Sequence, residues 1–519
     1  MFTEKQKKQI LEHSLKLEDA LRQKQMLQEE FPYVQIEKPC TLGDGILDLS
    51  SESKQLYVKK FQSAVDVGRV SLFIPASGAA SRMFKALLSA ESKTKLPTIA
   101  GLKNASNDEK TVFEFLCRLK DFPFYDELRQ SLASDQYDLD ALLKQNDYDI
   151  VLKYVLFEKG LNYASLPKGL IVFHRAPAGQ SRTAFEEHLV EASQYAADIN
   201  QKIKIHFTIA CEFENQIKEA IQKTSVLLKE AGFCFEIEYS EQKASTDTLA
   251  IDSEGDLVEN SDGTLLFRPG GHGALIENLN ELLADIVFIK NIDNILPQNA
   301  NESVVLTQKI LGGVLVEIQE RVFSILNSIE KAEIKEEHLE DIFLSESADW
   351  AHDLFGFKFS DGLDRAKQLL TFLNRPMRVC GMVKNEGEPG GGPFWVRNRQ
   401  GQLTAQIVEK AQIDFSCEEQ RNVMKNATHF NPVNIVCGLT DFRGKKFDLK
   451  KYIDPKTGFV SQKSFEGKPL KALELPGLWN GAMADWLTIF VDVPLETFSP
   501  VKELNDLLRP AHQKWKEYL

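Results

Sequence analysis

Short apolar runs alternate with charged helical stretches along much of the chain, and this pattern constrains its fold more than any other feature. Runs typical of strands occupy residues 70–74, 169–174, 202–211, 233–239 and 285–291. Amphipathic segments such as TAFEEHLVEASQYAADI separate most of these runs. Strands that alternate with helices in this way predict an α/β domain built on a doubly wound, mostly parallel sheet.

Two longer stretches lack strand signals and predict helical insertions, one at about 84–165 and the other at about 302–372. Residues 1–31 have the apolar spacing of an amphipathic helix, and we expect 1–68 to form an N-terminal helical extension. Residues 69–519 are then expected to form the α/β domain. Further strands of that domain are predicted within 375–413 and at 433–439 and 487–493.

Composition limits the classes of partner. The formal net charge is −14 at pH 7. This charge argues against general binding to nucleic acid or to anionic membranes. The seven cysteines are widely spaced without a Cys-x-x-Cys pair, so neither a disulfide framework nor a zinc site is indicated. The N-terminus has no signal-peptide core, and no segment approaches the roughly 20 apolar residues of a membrane span. A soluble, cytoplasmic protein is expected.

An Asn-x-Asp-Asn sequence ends the apolar run at 285–291 and places Asp293 directly after a buried strand. A carboxylate is costly to bury unless it is paired or holds a metal. At the carboxyl end of a strand it could bind Mg²⁺ that bridges phosphate oxygens. It could equally close an Asx-turn, and the sequence pattern alone leaves both interpretations open.

A turn of small residues follows the first predicted strand, in the sequence IPASGAASRM. Small residues at Ser77, Gly78 and Ala79 would let backbone N–H groups approach an anion at the start of the next helix. Arg82, one turn later, could contact a phosphate. The segment is neither a Walker loop nor a Gly-x-Gly-x-x-Gly motif, and a simple tight turn with a surface arginine remains the alternative.

Other segments place polar residues or glycines next to predicted strands. Ligands of open α/β sheets bind beyond the carboxyl ends of the strands, and glycines permit close approach of the backbone to a base or a sugar. Ordinary turns and surface residues are the alternative in each case. The residues concerned are Lys168, Gln242, Lys243, Gly271, His272 and Gly273.

Taken in order, these segments resemble the UDP-sugar pyrophosphorylase family of nucleotidyltransferases. SGAASRM and the Pro-Lys-Gly segment at 167–169 are similar to the two halves of its first motif, with 84–165 inserted between them. The Gln-Lys pair, the Gly-His-Gly segment and the Asn-x-Asp-Asn sequence then follow in the family's order. Where that family has Gly and Thr after the first glycine, this chain has Ala-Ala-Ser.

The resemblance continues downstream. TAQIVEKAQI is similar to the family's Val-Val-Glu strand, with Glu409 as its acid, and HFNPVNIV to a strand with two asparagines, here Asn431 and Asn434. LELPGLWNGAMADW matches a Leu-Glu…Gly segment through Glu474, and VPLETFSPVKELNDLL matches a C-terminal Phe-x-Pro-Val-Lys element through Lys502. The whole chain also resembles a bacterial family of unknown function.

The resemblance implies a nucleotide-diphospho-sugar transferase-like fold, and an enzyme that joins a sugar 1-phosphate to a nucleoside triphosphate, with UTP expected. It implies Mg²⁺ on Asp293, a triphosphate held by Arg82 and Lys168, and Lys502 on the sugar phosphate or the α-phosphate. The residues it implies for nucleotide or sugar binding are Ser77, Gly78, Ala79, Gln242, Lys243, Gly271, His272, Gly273, Asn294, Glu409, Asn431 and Glu474.

Two other functions remain open. One is a glycosyltransferase of the same fold, with Asp293 and Asn294 as its metal motif. The other is a nucleotide-sugar-binding protein without catalysis, which the altered first loop would favour. In every case Gly78, Lys168, Gly271 and Asp293 are expected to converge at one edge of the sheet, because ligand crevices form where strand ends meet.

Overall fold

The structure is a computed structural model that describes residues 2–29, 32–91, 105–335, 339–360, 362–387, 390–398 and 401–518. The helices are α1 (Glu4–Glu12), α2 (Leu17–Gln28), α3 (Ser51–Asp66), α4 (Lys85–Glu91), α5 (Asn107–Cys117), α6 (Tyr125–Ser134), α7 (Leu139–Gln145), α8 (Tyr148–Leu156), α9 (Ala184–Ser193), α10 (Glu214–Glu230), α11 (Ile276–Glu281), α12 (Glu302–Lys335), α13 (Asp341–Phe355), α14 (Arg365–Leu373), α15 (Glu418–Lys425) and α16 (Pro510–Gln513). In the ranges just given, no helix is long and apolar enough to cross a membrane.

Strands fill the intervals that the apolar runs predicted, together with several that they did not. They are β1 (Ile36–Pro39), β2 (Thr41–Leu42), β3 (Gly45–Leu47), β4 (Val70–Pro75), β5 (Val172–Arg175), β6 (Ser181–Thr183), β7 (Lys202–Thr208), β8 (Cys234–Ser240), β9 (Thr248–Ile251), β10 (Phe267–Arg268), β11 (Ile286–Ile289), β12 (Met377–Lys384), β13 (Gly392–Arg397), β14 (Leu403–Val408), β15 (His429–Gly438), β16 (Phe459–Phe465), β17 (Lys468–Glu474) and β18 (Leu487–Asp492). The chain is an α/β protein, as predicted.

The chain forms two compact units. The first unit comprises Met1–Phe73, Gln242–Ile289 and Gln308–Leu495. Its main sheet has the strand order β2-β3-β18-β12-β15-β11-β4. β2 with β3, β3 with β18, β18 with β12, and β11 with β4 pair in parallel, whereas β15 is antiparallel to both of its neighbours. The sheet is therefore mostly parallel, as the alternating pattern predicted.

The central strands β11 and β15 of this sheet are buried along their whole length. Every residue of β11 and of β15 is buried, which is typical of strands covered on both faces. Val287, Ile289, Ile435 and Phe490 contribute to one hydrophobic core. Burial of apolar surface contributes about 25 cal/mol per Å², so these runs supply much of the driving force for the sheet.

Two smaller antiparallel sheets complete the first unit, in the orders β1-β13-β14 and β10-β9-β17-β16. The predicted N-terminal helical extension, residues 1–68, contains α1 to α3 but also β1 to β3. Leu27 of α2 packs with Leu249 of β9 and Leu473 of β17 in a second apolar cluster. The N-terminal helices therefore cover one face of a sheet formed by later parts of the chain.

The second unit comprises Ile74–Glu241, Lys290–Thr307 and Glu496–Leu519. β7 and β8 pair in parallel and are connected by α10. The run at 169–174 was expected to be a strand of the parallel sheet, and this prediction is wrong. β5 instead pairs antiparallel with β6 in a two-stranded hairpin, because a chain reversal over the next few residues gives it a local partner.

Residues 84–165 are helical wherever the structure describes them, from α4 to α8, and residues 92–104 lie outside the described part. Ser106 starts α5 with a capping box, in which Glu109 N donates to the serine hydroxyl and the glutamate accepts from Ser106 N. Such boxes satisfy backbone donors that a helix cannot satisfy itself. In the second predicted insertion, α12 to α14 account for most of residues 302–372.

Helix α9 is unusual because it is buried from Ala184 to Ala192 and yet is rich in titratable side chains. Its buried polar residues are Glu186, Glu187, His188 and Glu191. Thr183 caps the helix, and Glu186 completes the capping box. Buried polar groups are almost always hydrogen-bonded, so α9 must receive its partners from other segments of the second unit.

Candidate functional site

The carboxylate of Asp293 lies in the turn that follows β11 and is hydrogen-bonded to a lysine. Lys168 Nζ donates to Asp293 Oδ2 over 2.8 Å, and the two side chains are 16% and 20% exposed respectively. The turn itself is closed by the backbone, because Asn294 N donates to the Asn291 carbonyl at 3.1 Å. Within the described residues, this carboxylate accepts its hydrogen bond from the Lys168 ammonium and not from the backbone of its own turn.

The small-residue loop after β4 lies beside the Pro-Lys-Gly segment. Lys168 N donates to the Gly78 carbonyl at 3.0 Å, and Ala79 forms an antiparallel bridge with Pro167. The same lysine therefore contacts the loop through its backbone and Asp293 through its side chain. The structure thus brings Gly78, Lys168 and Asp293 together from three distant parts of the sequence.

The backbone of this loop is accessible. Ser77 is half-buried, whereas Gly78 and Ala79 are exposed. A Cβ atom added to Gly78 would meet no atom within 4 Å, so the packing of the protein does not itself require glycine there. A bare, exposed backbone after a strand is suited to contact an anionic ligand.

Two further predicted cations are exposed in the second unit. Arg82 ends a single 3-10 turn, Ala80–Arg82, and Lys502 Nζ lies 5.5 Å from the centroid of the Phe498 ring. In the part of the chain that the structure describes, no carboxylate forms an ion pair with either cation. Lys502 directly follows Val501, whose N–H donates to the Asp293 carbonyl at 2.9 Å.

Asn294 holds the C-terminal segment rather than extending into solvent. Its Nδ2 donates to the Thr497 carbonyl at 3.2 Å, and its Oδ1 accepts from Ser499 N at 2.9 Å. The side chain is 7% exposed. Both polar groups of this amide form hydrogen bonds within the chain, so the contacts of Asn294 in this structure are structural.

The donors around Asp293 can be compared with what Mg²⁺ requires. Groups of three or more His, Cys, Asp or Glu side chains suited to a metal are absent from the described residues. Mg²⁺ usually keeps several waters and binds through one or two carboxylates together with substrate phosphates. A single partly exposed carboxylate beside an open backbone loop fits an ion that arrives with a phosphate ligand, and does not fit an all-protein metal site.

In the first unit, His272 of the Gly-His-Gly segment is held in one orientation. Its Nδ1 accepts from Leu478 N at 3.0 Å, and its ring stacks on Trp479 with centroids 4.1 Å apart. The neutral ring therefore carries its proton on Nε2, which lies 3.6 Å from Glu409 Oε1. His272 and Glu409, both predicted site residues, are thus neighbours.

Glu409 is kept ionised by its surroundings. Burial by itself raises the pKa of this carboxyl, but the neighbouring His272 and the hydrogen bond from Asn480 outweigh burial and hold the pKa below its usual value. Asn480 Nδ2 donates to Glu409 Oε1 at 2.8 Å. Asn480 and Trp479 were not predicted as site residues, although they lie in the segment that the sequence analysis quoted for Glu474.

The glycines of the Gly-His-Gly segment lie against the segment at 474–476. A Cβ on Gly271, which has φ +76°, would lie 2.7 Å from Glu474 Oε2, and one on Gly273 would lie 2.2 Å from the Pro476 carbonyl oxygen. The positive φ favours glycine at position 271, and the backbone of Pro476 leaves no space for a side chain at position 273. Gly271 belongs to the first unit, whereas the other three residues expected at one sheet edge belong to the second.

A pocket of about 560 Å³ in the first unit brings several predicted residues together. Its lining includes Lys243, Gly273 and Glu474, as well as Lys16 and Arg22 from the N-terminal helical region. Ligand pockets typically measure roughly 300–1,000 Å³. The N-terminal residues were not predicted to contribute to a site, because their sequence shows only amphipathic spacing.

The remaining predicted residues of the first unit make internal contacts. Lys243 pairs with the Glu281 carboxylate, and Gln242 is half-buried. Asn431 Oδ1 accepts from Val433 N at 3.0 Å, and Val433 has φ +63°. A β-branched residue in this region is strained, so Asn431 supports a backbone conformation that is costly by itself.

The fold and these clusters define an α/β protein in which a lysine–aspartate pair lies beside an exposed small-residue loop. The chain belongs to the family described as a domain of unknown function (DUF4301), whose profile matches residues 3–513. This confirms the resemblance of the whole chain to a family of unknown function. No curated protein matches the chain significantly in sequence.

Solved structures similar to the chain include two pyrophosphorylases. The uridine diphosphate N-acetylglucosamine pyrophosphorylase from Trypanosoma brucei is 14% identical, with a TM-score of 0.44 and coverage of 97% of this chain and 74% of that one. The UDP-glucose pyrophosphorylase from Leishmania major is 11% identical, with a TM-score of 0.44 and coverage of 98% and 79%.

Proposed function

We propose that this protein is a nucleotidyltransferase that joins a sugar 1-phosphate to a nucleoside triphosphate, UTP being the expected nucleotide. The single observation that carries the proposal is the Lys168–Asp293 hydrogen bond beside Gly78. It unites the two halves of the first motif and the acidic turn, which are separate in the sequence. A cation, a carboxylate and an open backbone loop are the groups that binding a triphosphate requires.

In the proposed reaction, a phosphate oxygen of the sugar phosphate attacks the α-phosphorus of the triphosphate. A new P–O bond forms, the bond from the α-phosphorus to the bridging oxygen breaks, and pyrophosphate leaves with that oxygen. Phosphoryl transfers of this kind depend mostly on positioning and charge neutralisation. The protein therefore needs well-placed cations more than it needs a general base.

Each charged residue has a role in this scheme. Arg82 and Lys168 bind the triphosphate by charge-assisted hydrogen bonds, and Lys502 binds the sugar phosphate or the α-phosphate. Asp293 would hold Mg²⁺, which supplies neutralisation of the charge that develops on the phosphate oxygens. Until the nucleotide binds, the Lys168 ammonium offsets the Asp293 charge, and both groups are exposed enough to exchange partners.

The first unit, considered by itself, offers another candidate binding region. The pocket lined by Lys243, Gly273 and Glu474 has a volume suited to a nucleoside or a sugar. Glu409, which the neighbouring His272 and Asn480 keep ionised, is suited to accept hydrogen bonds from sugar hydroxyls.

The direct test incubates the purified protein with Mg²⁺, a nucleoside triphosphate and a panel of sugar 1-phosphates, and measures pyrophosphate. We expect pyrophosphate only when a triphosphate, a sugar phosphate and Mg²⁺ are all present. Release of a nucleoside diphosphate from a nucleotide sugar, without pyrophosphate, would instead identify a glycosyltransferase. Binding of nucleotide sugars without turnover of either kind would identify a binding protein.

Replacing Lys502 with alanine is expected to reduce kcat/KM for pyrophosphate release by about 10- to 100-fold, because a hydrogen bond to a charged group contributes roughly 1.5–3 kcal/mol. The loss should appear mainly in KM if Lys502 binds only the sugar phosphate, and in kcat if it also contacts the α-phosphate in the transition state. Lys514→Ala, another exposed lysine of the second unit, is the matched control. Equal kinetics for the two variants would remove Lys502 from the site.

A further inference from the structure

A continuous chain of buried hydrogen bonds crosses the interior of the second unit. His174 Nδ1 lies 3.2 Å from Glu187 Oε1, and His174 Nε2 lies 2.9 Å from His512 Nδ1. His512 Nε2 lies 2.9 Å from the Ser499 carbonyl oxygen. The side chains of Glu187 and His174 are 1% and 0% exposed, and His512 is fully buried. These groups come from α9, β5, α16 and the segment before α16.

The acceptor at the end of the chain determines where the protons lie. A carbonyl can only accept, so His512 Nε2 carries a hydrogen. The neutral His512 ring then accepts at Nδ1 from His174 Nε2–H, which leaves His174 Nδ1 as an acceptor. Glu187 must therefore supply a proton to the bond that joins it to His174. The three side chains together carry no net charge and one shared proton.

The surroundings favour this neutral arrangement. Burial raises the pKa of Glu187 to about 7, against the opposing effect of Arg182. Burial likewise lowers the pKa of His174 and that of His512 to about 3. Arg182 Nη1 lies 3.7 Å from Glu187 Oε2, so a cation adjoins the acidic end of this chain of hydrogen bonds. Every ring nitrogen of the two histidines has a hydrogen-bond partner, and buried hydrogen bonds of this kind restrain the segments that they join.

The far end of this network fixes the segment that carries Lys502. His512 binds the Ser499 carbonyl, while Ser499 N donates to Asn294 Oδ1 at 2.9 Å. Val501 N donates to the Asp293 carbonyl at 2.9 Å. The backbone at 499–501 is therefore held between the buried histidine on one side and the Asp293–Asn294 turn on the other.

We propose that Glu187, His174 and His512 form a positioning relay, which holds residues 497–502 so that the Lys502 ammonium stays at the phosphate site beside Asp293. This inference rests on the proposed function for the role of Lys502. None of the three relay residues needs to touch a substrate, since they act through the backbone carbonyl of Ser499. Misplacement of a catalytic group by about 1 Å can cost roughly 100-fold in rate. Loss of the relay should therefore lower the rate of the reaction.

The relay can be tested first without any substrate, by amide hydrogen exchange. His512→Phe removes the bond to Ser499, and we expect exchange in the peptide that covers 497–502 to become about 10-fold faster. His512→Gln, whose amide nitrogen can still donate to that carbonyl, should restore most of the protection. Helix α10 (Glu214–Glu230) serves as the reference in the same experiment and should keep its exchange rate. His206→Phe, which removes a hydrogen-bonded histidine outside the relay, is the matched control and should behave as wild type.

Kinetics then test the connection to Lys502. His512→Phe should lower kcat by about 10-fold or more, and Lys502→Ala added to His512→Phe should cost much less than it costs in the wild-type chain, since coupled residues are not additive. Unchanged exchange at 497–502 in His512→Phe would overturn the relay, as would full additivity of the two substitutions. Faster exchange in a protein that releases no pyrophosphate with any substrate would support the hold on this segment and overturn the proposed function instead. If His512→Phe does not fold, Glu187→Met provides the same comparison from the opposite end of the relay.

Discussion

Replacing Asp293 with asparagine is expected to lower Mg²⁺-dependent pyrophosphate release by on the order of 100-fold or more, the scale of losing a key electrostatic stabiliser. The amide is nearly isosteric, and the turn is closed by backbone atoms of Asn291 and Asn294, so the fold should persist. What the variant loses is the charge that would attract the metal and that now pairs with Lys168. The measurement is kcat at saturating substrates over a Mg²⁺ titration.

Asp121→Asn is the matched control for this prediction. Asp121 also belongs to the second unit and pairs with Lys516 at 2.6 Å and Arg118 at 2.9 Å, but it lies in none of the loops of the candidate site. We expect its substitution to leave turnover within about twofold, because partly exposed ion pairs contribute roughly 0–1 kcal/mol. Similar turnover in both variants would mean that Asp293 holds no metal.

The second large effect is expected on stability. Lys290 and Glu191 form an ion pair in which each side chain is only 1% exposed. Replacing Lys290 with methionine leaves the Glu191 carboxylate buried without its counter-charge, which should cost about 3–5 kcal/mol of unfolding free energy. Urea denaturation of the variant and of the wild-type chain measures the difference.

The double variant Lys290→Met/Glu191→Met distinguishes the cost of burying an unpaired charge from the contribution of side-chain packing. Removing both charges should recover most of the loss, because buried ion pairs are often replaceable by apolar side chains of similar volume at little cost. A single Lys290→Met variant that loses less than about 1 kcal/mol would show that water reaches the pair in solution. Destabilisation in the double variant equal to that of the single one would instead show that packing, not charge, makes this position sensitive.

Strands β4, β11 and β18 of the main sheet could be predicted from the sequence because each is formed by a largely apolar run, whereas β2 and β3 lie in the predicted helical extension and were missed. The run at 285–291 became β11, and the run at 70–74 became β4 with one residue added. The run at 169–174 is equally apolar, yet β5 pairs with its local neighbour β6, and apolar character alone does not distinguish a hairpin from a sheet strand. The β10-β9-β17-β16 sheet was missed altogether, since residues of β16 such as Lys463 are exposed and carry little apolar signal.

A site residue could be predicted from the sequence where burying that type of side chain without a partner costs free energy. Asp293 after a buried strand and Lys168 before another were identified separately, and the structure joins them. The Gly-His-Gly segment shows the opposite case, because Gly271 has a positive φ and Gly273 lies against the Pro476 backbone, which no local pattern reveals. His174 and His512 are 338 residues apart, and a hydrogen bond over that distance leaves no mark on either local sequence.

The order in which the second unit can be completed during synthesis follows from its discontinuity. It consists of three segments, Ile74–Glu241, Lys290–Thr307 and Glu496–Leu519. Glu191 of α9 takes its partner, Lys290, from the second segment, and His174 of β5 takes His512 from the third. A nascent chain leaves the ribosome from its N-terminus onwards. Helix α9 therefore emerges about a hundred residues before Lys290, with a Glu191 carboxylate that it cannot bury alone. The buried hydrogen bonds of His174 are complete only when His512 has also left the exit tunnel, more than 300 residues after His174 itself.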